Sequence, residues 1–229
     1  MMRATRLVLV WMTITAAGVT AAQAQTTADE EPRFYGEFVV GPTLGHKSDS
    51  TVGGEFGVGL LEHLWLTGDR LEVFLEFGRM GNVATSELDA RALIIANFIK
   101  GSASAVQKAK FFDIGVKYRG PAFAGMWRPY VGLGVGAAKV ETLVNFVVGG
   151  TDVTAQLPEL YGIVLGNDLA DSLNKTMVVV AIGAQGNFLK RYFVDGSYRY
   201  GSILKRPDDI EQDVSITTQR VQVGIGVRF

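Results

Sequence analysis

The sequence predicts an all-β chain: an eight-stranded antiparallel up-and-down transmembrane β-barrel with short periplasmic turns and long, partly helical extracellular loops. Three observations predict it. Eight runs alternate apolar and polar residues with period two, as a strand with two different faces does. Each run holds about the 9–11 residues that a tilted strand needs to cross a bilayer. The connections are short on one side and mostly long on the other, which matches the two ends of such a barrel.

Residues 1–24 read as a secretory signal. Arg3 and Arg6 form the charged start, Leu7 to Val19 the apolar stretch, and Ala22-Gln23-Ala24 the small-residue cleavage site, with cleavage after Ala24. Residues 25–32 are polar and read as a disordered lead-in. The barrel domain is expected over 33–229. It contains no run of about 18 apolar residues, so no helical span is expected there.

In the first run, Phe34, Gly36, Phe38 and Val40 oppose Tyr35, Glu37 and Val39. In the second, Phe56, Val58 and Leu60 oppose Glu55, Gly57, Gly59 and Leu61, and Glu62 on the apolar side marks an end or a bulge. The third sets Leu71, Val73, Leu75 and Phe77 against Glu72, Phe74 and Glu76. The fourth, Lys110 to Arg119, sets Phe112, Ile114, Val116 and Tyr118 against Asp113, Gly115, Lys117 and Arg119. The fifth, Trp127 to Val140, sets Val131, Leu133 and Val135 against Tyr130, Gly132, Gly134 and Gly136. The sixth, Lys175 to Phe188, sets Val178, Val180 and Ile182 against Val179, Ala181, Gly183 and Gln185. The seventh, Tyr192 to Gly201, sets Tyr192, Val194, Tyr198 and Tyr200 against Phe193, Asp195, Ser197 and Arg199. The eighth is the closing strand, where Val221, Val223, Ile225, Val227 and Phe229 oppose Gln222, Gly224, Gly226 and Arg228. A strand this regular needs a partner at both edges, and ring closure supplies both.

Composition narrows the function. A net charge of −1 gives no reason to expect a nucleic-acid partner. With no cysteine there is no disulfide, thiolate metal site or Cys nucleophile. The Gly-rich polar face suits a crowded interior better than a solvated exterior, which favours a membrane barrel over a soluble one. Outer-membrane lipid is then the expected surrounding. Phe34, Tyr118, Trp127, Tyr192 and Phe229 fall near strand ends on the short-turn side and read as a membrane girdle.

The inward charges are Glu37, Glu55, Glu72, Glu76, Asp113, Lys117, Arg119, Asp195, Arg199 and Arg228. A lumen of eight strands is just wide enough for side chains to fill, and buried charge must pair. One reading is a plug of salt bridges. The other is an ion path gated by a rearranging Glu/Arg pair. No metal or cofactor is expected: the glycines of Gly132 to Ala137 mimic a dinucleotide fingerprint but lie inside one alternating strand. No enzyme is expected either. The two histidines, His46 and His63, fall at opposite ends of the barrel, so no nucleophile–base pair assembles.

The long loops carry the remaining signal. Ser86 before an apolar-rich run, LDARALIIANFIK, reads as a short helix with a Ser cap, and residues 155–173 as a second, partly helical loop. Leu93, Ile94, Phe98, Phe146, Leu160 and Tyr161 stand out as interaction candidates. Apolar residues at this density either pack as a lid or present a binding patch. Lys205 to Asp213 is mixed, net acidic and reads as solvated.

Pro129 to Glu141 (PYVGLGVGAAKVE), Arg191 to Gly201 (RYFVDGSYRYG) and Arg220 to Phe229 (RVQVGIGVRF) resemble the small outer-membrane β-barrel superfamily of OmpA-type, OmpX-type and opacity-protein barrels. The resemblance covers 33–229 and speaks to fold more than to function. It implies a place in the bacterial outer membrane, and recognition of the strand ending at Phe229 by the barrel-assembly machinery. The expected role is structural or surface interaction through the extracellular loops, with an extracellular ligand or host surface as partner. The alternative is a narrow porin-like diffusion channel for ions or small solutes.

Overall fold

Alternation along the sequence becomes alternation of outside and inside around a ring. The computed structural model describes residues 32–124, 126–166, 169, 172–189, 191–205 and 214–229. The signal read over 1–24, the lead-in up to residue 31 and residues 206–213 of the last long loop lie outside the described residues. The strands are β1 (Phe34–Leu44), β2 (Asp49–Glu62), β3 (Arg70–Met80), β4 (Ser102–Arg119), β5 (Trp127–Val148), β6 (Thr151–Asp152), β7 (Ser172–Asn187), β8 (Tyr192–Ile203) and β9 (Ile216–Arg228). Helix α1 (Ser86–Phe98) precedes β4, and α2 (Leu157–Tyr161) precedes β7.

Eight strands pair antiparallel in the order β4-β3-β2-β1-β9-β8-β7-β5, and β4 pairs with β5 to close the ring. The short β6 only folds back on the far end of β5. β1 and β9 pair from Tyr35↔Arg228 to Leu44↔Gln219. Phe34 and Phe229 exchange two backbone hydrogen bonds of 3.2 and 3.0 Å. The closing strand therefore has both edges occupied, as its regularity demanded.

Outside the ring stand Phe38, Phe112, Leu133, Val180, Val223 and Ile225, all exposed. Inside stand charged groups and aromatic rings, all buried. The inward glycines make room for those rings. A Cβ on Gly57 would lie 2.2 Å from the Tyr35 ring, and one on Gly226 would lie 2.1 Å from Phe193 Cζ.

Three sequence expectations are corrected. The β2–β3 register shifts between Gly59 and Leu61, so the extra residue is Leu60. Leu61 consequently pairs with Leu71 on the outside, instead of facing inward, and Glu62 pairs with Arg70. Next, β4 and β5 stay paired without interruption out to Ser102↔Val147, well past the expected ends at Lys110 and Val140. The period holds there, but its polarity inverts. Above the lumen the inward side of β5 carries Val144 and Phe146, because a helix packs on it. Much of what read as loop is thus a protruding hairpin. Finally, the cap of α1 is Thr85, whose hydroxyl accepts from the Leu88 N–H at 3.2 Å, and Ser86 is the first helical residue.

Candidate functional site

The lumen is built from rows of like charge. Glu37, Glu55, Glu76 and Asp113 are successive cross-strand partners on β1 to β4, forming a single acidic row. On the facing wall Arg199 of β8 pairs in register with Arg220 of β9. Like charges side by side repel, so each row needs the other across the lumen. Arg199 donates to Glu76 Oε2 at 2.5 Å and to Glu55 Oε2 at 2.7 Å. Arg220 reaches Glu76 Oε1 at 3.0 Å. Lys117 bonds Glu55 and sits 4.5 Å over the Tyr130 ring. Nearer the short turns, Arg119 and Arg228 both approach Glu72, at 3.0 and 4.0 Å. Arg228 also donates to Gln185 at 2.7 Å, and Tyr130 donates to Asp195 at 2.9 Å.

The structure brings all ten sequence-derived inward charges into this interior, and none is more than 6% exposed. Side chains therefore fill the lumen at this level. Sequence reasoning missed Arg220, Gln185, Tyr35 and Tyr130 as network members. Arg220 carried a usable signal: it continues the inward parity of Gln222 and Gly224.

Above the lumen α1 packs across the protruding hairpin. Leu88, Ala92, Ala96 and Ile99 are buried against Ala105, Val144, Phe146 and Leu157. The first outer turn clamps the helix: His46 Nε2 and Lys47 Nζ meet the two Asp89 oxygens at 2.8 and 2.7 Å, and Lys47 also donates to the Ala105 carbonyl at 2.8 Å. Burial pushes the Asp89 carboxyl up, but hydrogen bonds from Lys47 and His46 outweigh it and hold the group below the usual carboxylate range. A cavity of about 280 Å³ opens beside the clamp, lined by Thr43, His46, Lys47, Asn82, Thr85 and Thr217.

The loop candidates divide. Leu93, Ile94, Phe98 and Leu160 are exposed, at 56, 69, 71 and 59%. Phe146 is not an exposed loop residue: it is 0% exposed under α1 and belongs to the packing that holds the cap. Tyr161 is half-buried against the same cluster.

At the opposite rim Phe34, Tyr118, Trp127, Tyr192 and Phe229 all lie at short-turn strand ends. Phe34 stacks on Phe229 at 6.3 Å, and Tyr192 on Phe188 at 6.2 Å. Trp65, which the sequence reading passed over because it sits in a turn, packs 4.9 Å from Tyr118. That turn is wound around Asp69. Its carboxylate accepts from Leu64, Trp65 and Leu66 N–H at 2.7, 2.9 and 2.9 Å and from the Tyr118 hydroxyl at 2.9 Å. Burial raises the Asp69 carboxyl, and these four donors override it, holding it below the usual range. Here His63 Nδ1 accepts from Gly68 N–H at 2.8 Å. Among the described residues no His/Asp/Glu cluster is arranged to hold a metal ion.

A closed eight-stranded ring with an apolar exterior and a charged, filled interior defines a transmembrane β-barrel. The chain matches the family described as "Outer membrane protein beta-barrel domain" over residues 12–229, and it belongs to that family of bacterial outer-membrane proteins. No curated protein matches the sequence. Among solved structures it is similar to Neisserial surface protein A, at 13% identity, covering 86% of this chain and 97% of that one with a TM-score of 0.49. It is similar also to Ail of Yersinia pestis in complex with the heparin analogue sucrose octasulfate, at 13% identity, 86 and 97% coverage and a TM-score of 0.43. A third is the outer membrane enzyme PagL, at 11% identity, 85 and 99% coverage and a TM-score of 0.41. These neighbours differ in what they do, and the likeness is one of fold alone.

Proposed function

We propose that the barrel is a non-conducting anchor and that the chain acts at the cell surface through its outer cap. The observation that carries this is the two-faced helix α1. One face is locked onto the hairpin, while Leu93, Ile94 and Phe98 on the other stand in the open with Leu160 and Val164. A helix held rigidly by one apolar face and showing a second is suited to bind an apolar surface on a ligand or host. A non-enzymatic role fits the two histidines, which stand at opposite ends and are engaged with Asp89 and Gly68. The reading includes export by a signal cleaved after Ala24, a polar lead-in over 25–32, a lipid girdle at Phe34, Tyr118, Trp127, Tyr192 and Phe229, and recognition of the β9 terminus by the assembly machinery.

The test is binding of host cells by vesicles carrying the mature protein, with and without L93S/I94S/F98S. Loss of binding with the heat-dependent gel shift retained is the expected result. Undiminished binding would remove the cap from the function. The second reading, a narrow channel, draws on Glu37 and Gln222, whose side-chain atoms have no hydrogen-bond partner among the described residues. Such groups leave a network room to rearrange.

A further inference from the structure

The outer wall carries a cluster of like charge that the lumen and cap do not use. Arg79, Lys110 and Lys139 are successive cross-strand partners on β3, β4 and β5, and all three side chains are exposed on the outside of the ring. Lys108, two residues along β4 from Lys110, faces the same way. Directly opposed like charges on a sheet destabilise it, with neighbouring Cβ atoms only about 5 Å apart. Among the described residues one acid answers them: Glu141, which meets Lys110 at 3.2 Å and also feels the charge of Lys139 and Arg79. Among the described residues, four cations against a single carboxylate leave a surplus of positive charge where the wall leaves the apolar belt on its long-loop side.

Directly below the cluster the wall is indented. The outward row Phe38↔Gly54↔Phe77 places a glycine between two aromatic rings. The resulting open groove, about 600 Å³, is lined by Phe38, Val52, Gly54, Phe56 and Phe77 and topped by Arg79 and Lys110. Phe56 and Phe77 stack at 6.1 Å along one side of it. An apolar slot capped by cations, at the level where hydrocarbon gives way to headgroups, has the chemistry of a lipid bearing a phosphate.

We propose that this face is a binding site for one phosphate-bearing membrane lipid of the outer leaflet, its phosphate on Arg79, Lys110 and Lys139 and an acyl chain in the Gly54 groove. The bound anion offsets the repulsion within the cation row, and the lipid seals the notch in the wall. Family membership places the wall in lipid, and the long-loop side faces outward in barrels of this kind. The site is independent of the cap.

The test is native mass spectrometry of the folded, heat-modifiable mature protein, titrated in detergent with phosphatidic acid and with phosphatidylcholine of the same chains. The expected result is a one-to-one adduct retaining phosphatidic acid at least about tenfold better. R79Q/K110Q/K139Q abolishes that preference, and V52W, which fills the groove, weakens retention of both lipids. If the triple variant lacks the heat shift, R79Q and K139Q singly serve instead, each lowering the preference roughly fivefold. Equal retention of the two lipids, or a preference that survives the charge substitutions, would overturn the site. Displacement of the lipid by millimolar inorganic phosphate would reduce it to a free-anion site, and an unaltered V52W would remove the groove from it.

Discussion

Arg199 holds two carboxylates at once, bridging Glu55, which also bonds Lys117, and Glu76, which also meets Arg220. Arg199→Gln leaves Glu55 and Glu76 each short of a buried partner, and a loss of about 3–5 kcal/mol is expected. Urea titration followed by the gel shift measures it. Space is as tight as charge. Gly226→Ala drives a methyl into the buried Phe193 ring, and overpacking of this kind costs about 1–3 kcal/mol. Urea unfolding of the same protein reads that shift too. Two hydrogen-bonded carboxylates outside the membrane, Asp69 and Asp89, respond to acid. Both are held below their unfolded value. Their contribution is therefore present above that value, near pH 4, and is lost as pH falls through their lowered ones. The expected sign is a looser short turn and a released α1 in acid, with D69N and D89N flattening the response. Hydrogen exchange at Leu64–Leu66 and along α1, compared between pH 6 and pH 3, checks it.

At the scale of the element, the β4–β5 hairpin and α1 behave as one unit standing above the barrel. Their shared cluster is separate from the lumen network, so it can be opened without unfolding the ring. Val144→Asp puts a charge beneath Ala92 and Ala96. Limited proteolysis should then cut within 86–98 while the barrel keeps its heat shift, and intact α1 under the same protease would contradict the packing described here. The sequence announced this helix clearly, through its apolar run and nearby cap. It hid the hairpin. Period two continues through Ser102 to Ala109 and Glu141 to Val148, but small residues on one strand blur it. On the other the inward side turns apolar under α1, so the pattern no longer looks like a lumen wall. Phe146 was misread for the same reason: an aromatic in a supposed loop looks like bait for a partner, whereas on a strand beneath a helix it is core.

For the whole molecule, a filled lumen predicts silence in planar bilayers. The mature protein, folded by the gel criterion, should show no discrete openings. Conductance that changes in E76Q would instead make the charge network a gate. The ring itself was legible from the sequence, because a barrel wall shows its two environments residue by residue in Tyr35, Glu37, Val39 and their outward neighbours. The pairing inside it was not. Which acid meets which arginine depends on the stagger of strands distant in the chain, and no local pattern encodes that. The outer cation row escaped for a similar reason, since Arg79, Lys110 and Lys139 become neighbours only in register.

The acidic row lies on β1 to β4 and the arginine pair on β8 and β9, so the lock is shared between the beginning and the end of the chain. A fragment stopping after β5 would keep Lys117 for Glu55 but would carry Glu76 into the membrane without Arg199 or Arg220. Neither portion by itself completes the lock. Separately expressed halves are therefore expected to insert only as a pair, each supplying what the other's charges need.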